Sequence, residues 1–263
     1  MSLSSAETLL LQPRIAAHFD KGAVSYLHAA SLQQQVASQL AELLPAHVPV
    51  ILDLGCGPGW LQPTLARHCQ SLWAADLSAA MLQQARQIGA ASQFFQADAS
   101  ALPLPDASVD LVFSSLMLQW CPEPAAVLAE ISRLLKPGGR LLLTTLVAGS
   151  LAEFSHSWAA VDQQPHQLTF LPVAELLAQL QQPALTLTYQ VQHYQQFYPD
   201  VFSLARSFQQ IGANYVAGRQ PGLTGKQRWQ QFAAAYEQCR CPQGLPLSYQ
   251  VLQLQAVKAT ALA

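Results

Sequence analysis

From residue 50 to residue 146 the chain alternates between two hydrophobic rhythms. Short apolar runs come at Val50–Leu54, Leu72–Ala75, Phe94–Ala97, Val109–Phe113 and Leu141–Leu146, and the spacing predicts a buried strand for each. Stretches of helical period lie between them, over 60–68, from Ser78 through Met81, Leu82 and Ala85, and over 123–135, where Val127, Leu128, Ile131, Leu134 and Leu135 share one face. Ser78 is placed to cap the second of these, and Lys136-Pro137-Gly138-Gly139 to stop the third as a turn. Strands alternating with helices predict a parallel sheet covered on both faces, an α/β fold.

Outside this segment the rhythm differs. Residues 5–44 read as helical, with Leu32, Val36, Leu40, Leu43 and Leu44 at helical spacing ahead of Pro45. Past residue 147 two helical stretches, 150–163 and 172–181, lead into an extended run from Leu185 to Phe197. Residues 200–246 read as helix and loop, and Leu247–Val257 as a last strand. The expectation is one domain in which the last two strands pair at the sheet edge. In it residues 1–45 form a helical lid, 46–147 the core, and 200–246 a helical cap inserted between the last two strands.

Composition narrows the class. Only 11% of the 263 residues are charged, against 51% hydrophobic, so there is ample core and no disordered charged tail. A net charge of −2 argues against general nucleic-acid binding. No apolar run approaches the roughly 20 residues of a membrane span, and the N-terminus lacks the basic and cleavage signals of a secreted protein. The odd set Cys56, Cys69, Cys121, Cys239 and Cys241 has no framework spacing, which suggests reduced thiols and a cytoplasmic protein. No metal site is expected, since no second cysteine pair or paired histidines complete Cys239-Arg240-Cys241.

Candidate chemistry gathers where the apolar runs end. Asp53-Leu54-Gly55-Cys56-Gly57-Pro58-Gly59 carries a strand into a glycine turn, where bare backbone can meet a ligand. Its G-x-G-x-G spacing fits neither the dinucleotide fingerprint nor the P-loop, and counts against an NAD-dependent oxidoreductase. Asp53 could bind a cationic or hydroxyl-bearing group, or tie down the turn's own N–H groups. Asp76 lies about 20 residues beyond the turn, where an acid accepts from both hydroxyls of a ribose. Asp98, one strand further out, suits the exocyclic amine of adenine. Three acids at successive strand ends, with Ser114 at a fourth, surround one crevice.

This pattern resembles the class I S-adenosylmethionine-dependent methyltransferases over most of residues 45–146. The resemblance implies a Rossmann-like fold with a seven-stranded, mostly parallel sheet, and S-adenosyl-L-methionine as cofactor. It implies a cofactor site of Asp53, Gly55, Cys56, Gly57 and Gly59, then Asp76 with Leu77, Asp98 with Ala99, and Ser114 with Ser115, Leu116 flanking the sulfonium. Further segments resemble the malonyl-acyl-carrier-protein O-methyltransferases of biotin synthesis: Ile15-Ala-Ala-His-Phe19 with Tyr26, Leu118-Gln-Trp-Cys121, Thr144–Leu151 and Arg206–Ala213. That likeness implies methylation of the free carboxyl of a malonyl group carried on acyl carrier protein, or on coenzyme A. A monomer is expected, and from charge and the lack of an apolar span, no nucleic-acid or membrane partner.

A carboxylate is already ionised at neutral pH, so such a transfer needs alignment and dryness rather than a base. Arg206 is the candidate to hold the carboxylate, because it is an arginine in an otherwise apolar stretch and can bind bidentately. Tyr26, Gln119 and Trp120 are candidates to line the site. Residues 200–246 carry Arg206, Arg219, Lys226, Arg228 and Arg240 against Asp200 and Glu237, a basic surface suited to an acidic carrier protein. Competing readings are a methyltransferase of a small quinone or phenol precursor and a non-catalytic S-adenosylmethionine-binding regulator.

Overall fold

The computed structural model describes residues 5–23, 26–182, 184–210 and 225–260. Three helices, α1 (Ser5–Gly22), α2 (Tyr26–Ala29) and α3 (Ser31–Ala41), lead into the alternating segment. That segment runs β1 (Val48–Leu54), α4 (Gln62–Ala66), β2 (Cys69–Asp76), α5 (Ala79–Ile88), β3 (Gln93–Gln96), β4 (Val109–Ser115), α6 (Pro124–Leu134) and β5 (Leu135–Leu146). The chain continues through α7 (Ala152–Ala159), α8 (Val173–Gln179), β6 (Leu185–Tyr198), α9 (Val201–Gln210), α10 (Lys226–Glu237) and β7 (Leu245–Lys258).

The strands form one seven-stranded sheet in the order β3-β2-β1-β4-β5-β7-β6. The first five strands are parallel, whereas β7 runs antiparallel to both β5 and β6. The order reverses between β1 and β4, the position where open α/β sheets leave a crevice at their carboxyl ends. The expected edge pair is present, with α9 and α10 in the connection between its strands.

Alternation along each strand fills both faces. Ile51, Leu72, Leu111, Phe113 and Leu142 pack with Leu40 and Leu65 of α3 and α4 on one side. Leu52, Val112, Leu141, Leu143 and Leu254 pack with Ile131 and Leu134 of α6 on the other. A third cluster is rich in aromatic rings: Trp158, Tyr194, Phe232, Tyr236 and Tyr249 pack with Leu204 of α9 and further aliphatic side chains. It ties α7, α9 and α10 to β6 and β7.

One expectation is corrected in part. α6 stops at Leu134, just ahead of Lys136-Pro137-Gly138-Gly139 as expected, but β5 begins at Leu135 and includes these residues, so they are not a separate turn. The pairing with β4 shifts register between Val109 and Leu111, and Lys136 Nζ meets Asp110 Oδ2 at 2.8 Å. The irregularity that Pro137, Gly138 and Gly139 impose is thus absorbed inside the strand as a bulge. The N-terminal stretch read as helical consists of three helices. Arg219 and the Ile211–Ala213 end of the Arg206 segment lie outside the described residues.

Candidate active site

The ends of β1, β2, β3 and β4 open into a cleft of about 1090 Å³, partly open to solvent. Gly55 and Gly57 form its floor, Asp76 and Leu77 one side, Asp98 and Ala99 the next, and Ser115 the far end. Tyr26 and Trp120 close it from above.

Asp76 is the hub of the floor. Its Oδ2 accepts from Gly57 N at 2.9 Å and its Oδ1 from Ser78 N at 2.8 Å. Burial raises the Asp76 pKa, the two N–H donors partly offset this, and each oxygen keeps a lone pair for a ligand hydroxyl. Asp98 Oδ1 accepts from Ser100 N and Ser100 Oγ, both at 2.8 Å, which fixes the carboxylate at the cleft wall.

The glycines have distinct duties. Gly55 adopts φ +72°, and a Cβ there would lie 2.4 Å from Met117 Cγ. Gly59, at φ +79°, would push a Cβ to 2.8 Å from that of Ala85, so it permits close packing of the turn on α5. Gly57 would meet nothing, which leaves its backbone bare to the cleft.

Four expected cofactor contacts sit behind the wall instead of on it. Asp53 is buried beneath the turn, since its position on β1 points to the α3–α4 side of the sheet. Burial pushes its pKa up to about 7, Asp76 adds to the rise, and the Gln62 amide partly opposes it. Cys56 is buried against Ala74, Leu82 and Ala85. Gly59 faces α5, as above. Ser114 is fully buried and donates to Leu54 O at 2.8 Å, clamping β4 to β1, while its neighbour Ser115 faces the cleft.

A second, larger cavity of about 2240 Å³ adjoins the first. Phe19, Tyr26, Leu116 and Trp120 line both and form the partition. Phe19 and Trp120 meet edge to face with centroids 5.0 Å apart. Leu116 holds φ at +51°, a strained conformation for a leucine. Gln119 secures it by donating to Leu116 O at 2.6 Å and accepting from Thr145 Oγ1 at 3.0 Å. These two bonds let Gln119 brace the partition from the second cavity's wall, with one amide N–H still unused.

Arg206 of α9 also lines the second cavity. It is exposed, contrary to the expectation of a guanidinium held in an apolar stretch, because α9 is amphipathic and buries Val201 and Leu204 instead. Opposite it, Trp158 stacks on His166 at 3.7 Å, and His166 Nε2 lies 2.9 Å from Asp162 Oδ1. Arg228 of α10 pairs with the same carboxylate.

The two cavities differ in charge. The cleft's lining includes Asp76, Asp98 and Glu123 and, among the described residues, no Lys, Arg or His. The second cavity's includes Arg206 and His166 and, among the described residues, no Asp or Glu. Sequence reasoning missed Phe19's pairing with Trp120 and Met117's place over Gly55. No periodic signal marks either one, since both depend on the packing of distant segments.

The acidic cleft would repel a pyrophosphate and suits a cation bearing ribose hydroxyls and a flat base. Residues 52–143 match the family described as methyltransferase domain. The fold is shared with the YcgJ protein from Bacillus subtilis, at TM-score 0.62 and 18% identity over 87% of this chain and 100% of that one. Fold and site thus define an S-adenosylmethionine-dependent methyltransferase. The chain is 40% identical over 240 residues to the malonyl-[acyl-carrier protein] O-methyltransferase of Yersinia pestis, covering 90% of this chain and 88% of that one. It is 41% identical over 256 residues to the protein of that name from Alcanivorax borkumensis, covering 93% and 86%. The chain belongs to the malonyl-[acyl-carrier protein] O-methyltransferase family.

Proposed function

We propose that the enzyme methylates the free carboxyl of a malonyl thioester on acyl carrier protein, giving the methyl ester that enters biotin synthesis in the cytoplasm. The observation that carries this reading is the opposite charge of two cavities with a common wall. An acidic cleft for a cationic donor adjoins a cavity free of acids, among the described residues, with Arg206 at its edge.

When bound in the cleft, S-adenosyl-L-methionine supplies an electrophilic methyl group on a sulfonium. Asp76 would take the ribose hydroxyls, and Asp98 with Ala99 the adenine. Gly55, Gly57 and Ser115 would lie along the methionine end. Arg206 would hold the acceptor carboxylate, and Phe19, Tyr26, Leu116 and Trp120 would keep water from the transfer. Burial, and then the charge of Asp76, raise the Tyr26 pKa, so its phenol stays protonated as a donor. No general base is needed, because the acceptor oxygen is ionised at neutral pH.

The basic surface for carrier protein is smaller than the sequence suggests. Arg228 is paired with Asp162, and Arg240 with Glu237. Among the described residues of 200–246, Arg206 and Lys226 form no ion pair and remain to meet an acidic partner. The test is transfer of labelled methyl to malonyl- and acetyl-carrier protein, with mass spectrometry of the product. Malonyl-carrier protein should yield a base-labile methyl ester and acetyl-carrier protein none. Equal transfer to both would refute the carboxylate as acceptor. Arg206→Ala should lower kcat/KM for the acceptor more than Arg206→Lys does; a fully active Arg206→Ala enzyme would assign the anion to another residue.

A further inference from the structure

We propose that Asp20 is a positioning residue that latches α1 onto the cofactor cleft and so sets the partition between the two cavities. Asp20 lies on the exposed side of α1, yet its Oδ1 accepts from Ser78 Oγ at 2.5 Å and from Ala80 N at 3.2 Å. A carboxylate at the first turn of α5 meets the N–H groups that a helix start leaves unpaired and the positive end of its dipole.

The contact is more than a cap. Ser78 already caps α5 from within, its Oγ accepting from Met81 N at 3.1 Å. Its hydroxyl proton is therefore free to bind a second element, and that element is α1. The Ser78 backbone N–H is bonded to Asp76, and Asp76 to the Gly57 turn. One continuous series of hydrogen bonds thus runs from α1 through Ser78 and Asp76 to the cleft floor. The arrangement has an electrostatic cost, since the charge of Asp20 contributes to raising the Asp76 pKa. A surface acid with no other task would not need to stand there.

Phe19 is the neighbour of Asp20 on the same helix, and it packs on Trp120 at the partition. Fixing residue 20 to α5 fixes where the Phe19 ring falls. Asp20 touches neither cavity, so it acts through Phe19 and the helix that carries it. The link to catalysis rests on the reading of the first cleft as the cofactor site; the latch itself does not.

The experiment separates the two. Arg14 is exposed on α1, six residues from Asp20 and remote enough to leave its own cleavage preference unaltered. Trypsin should cut after Arg14 in ligand-free Asp20→Ala about tenfold faster than in wild type. Asp20→Asn, whose carbonyl oxygen can accept the same two bonds, should be cut at close to the wild-type rate. S-adenosylhomocysteine should bind Asp20→Ala about tenfold more weakly by calorimetry, with kcat/KM for the methyl donor lowered to match and both restored in Asp20→Asn. A wild-type cleavage rate in Asp20→Ala, or an Asp20→Asn variant cut as fast as Asp20→Ala, would overturn the latch. Faster cleavage in Asp20→Ala with no S-adenosylhomocysteine binding to wild type would leave the latch standing and remove the cofactor reading.

Discussion

The acidic cleft and the aromatic cavity beside it are assembled in different ways. The cleft is made by consecutive strand ends, each delivering a glycine, an acid or a serine a residue or two past its last apolar position, and its main polar contacts are backbone bonds to Asp76. The cavity draws on α1, α7, α9, α10 and β7, and its contacts are ring against ring. One surface is fixed by topology, the other by packing between segments far apart in the chain. A cofactor shared by many enzymes suits the first kind of construction. An acceptor particular to one enzyme suits the second, because side chains in a packed aromatic wall can change without disturbing the sheet.

If that division holds, damage to the turn should weaken donor binding and leave the aromatic cavity intact. Gly55→Ala is the severest case. A Cβ at φ +72° is strained by about 1–2 kcal/mol. Its 2.4 Å approach to Met117 Cγ adds about as much again through displacement of that side chain. The turn relieves about 3 kcal/mol of strain by leaving its cofactor-binding shape, and restoring that shape on binding costs up to this amount, roughly a hundredfold in affinity for S-adenosylhomocysteine by calorimetry. Unchanged affinity would mean that the turn does not meet the cofactor. Asp76→Ala comes next, at about 1–3 kcal/mol, the cost of stranding the Gly57 and Ser78 N–H groups and the ligand hydroxyls. Wild-type binding in that variant would remove Asp76 from the site.

The same division decides what could be read from the sequence. The strand–helix alternation, the pairing of the last two strands and the acids at strand ends were legible because each is a local or periodic signal. Which residues of the turn face the cleft was not. Ser114 and Ser115 are adjacent and identical in type, yet the strand's pleat turns one to Leu54 O and the other to the cleft. Asp53 is placed by the same alternation, one residue out of phase with the cleft wall. In the aromatic cavity, the sequence suggests an apolar setting for Arg206 that the amphipathic α9 does not provide. The Asp162–Arg228 pair joins residues 66 positions apart, which no spacing rule reveals.

Asp53 offers a smaller effect that tests its place behind the turn. With a pKa of about 7, it is largely protonated below neutral pH in the free enzyme. A cationic ligand nearby favours the charged form and lowers that value. Donor binding should then release a proton below pH 7, so affinity rises with pH up to about 7 and levels off above it. Calorimetry in two buffers of different ionisation heat should detect proton release at pH 6 and little at pH 8.5, with the difference lost in Asp53→Asn. Equal heats in both buffers at pH 6 would place the cation too far away for Asp53 to sense it.

The smallest effect comes from the acceptor side and should spare the cofactor altogether. Burial works to raise the Asp162 pKa, but bonds from Arg228, His166 and the Gln164 N–H outweigh it and hold the carboxyl below its usual range. A group whose pKa is lowered on folding adds stability above its unfolded value, and that stability is lost as pH falls toward the folded value. Arg228 is 41% exposed, so solvent screens the pair and its contribution is about 0.5–1 kcal/mol. Asp162→Asn should therefore lower the melting temperature by a few degrees at pH 7. The gap from wild type should narrow as pH is taken below about 4, where the unfolded carboxyl protonates. Because Asp162 holds His166 beneath Trp158, the acceptor KM should also rise while S-adenosylhomocysteine affinity stays at its wild-type value. Loss of cofactor affinity in Asp162→Asn would show that the two surfaces are coupled through the partition.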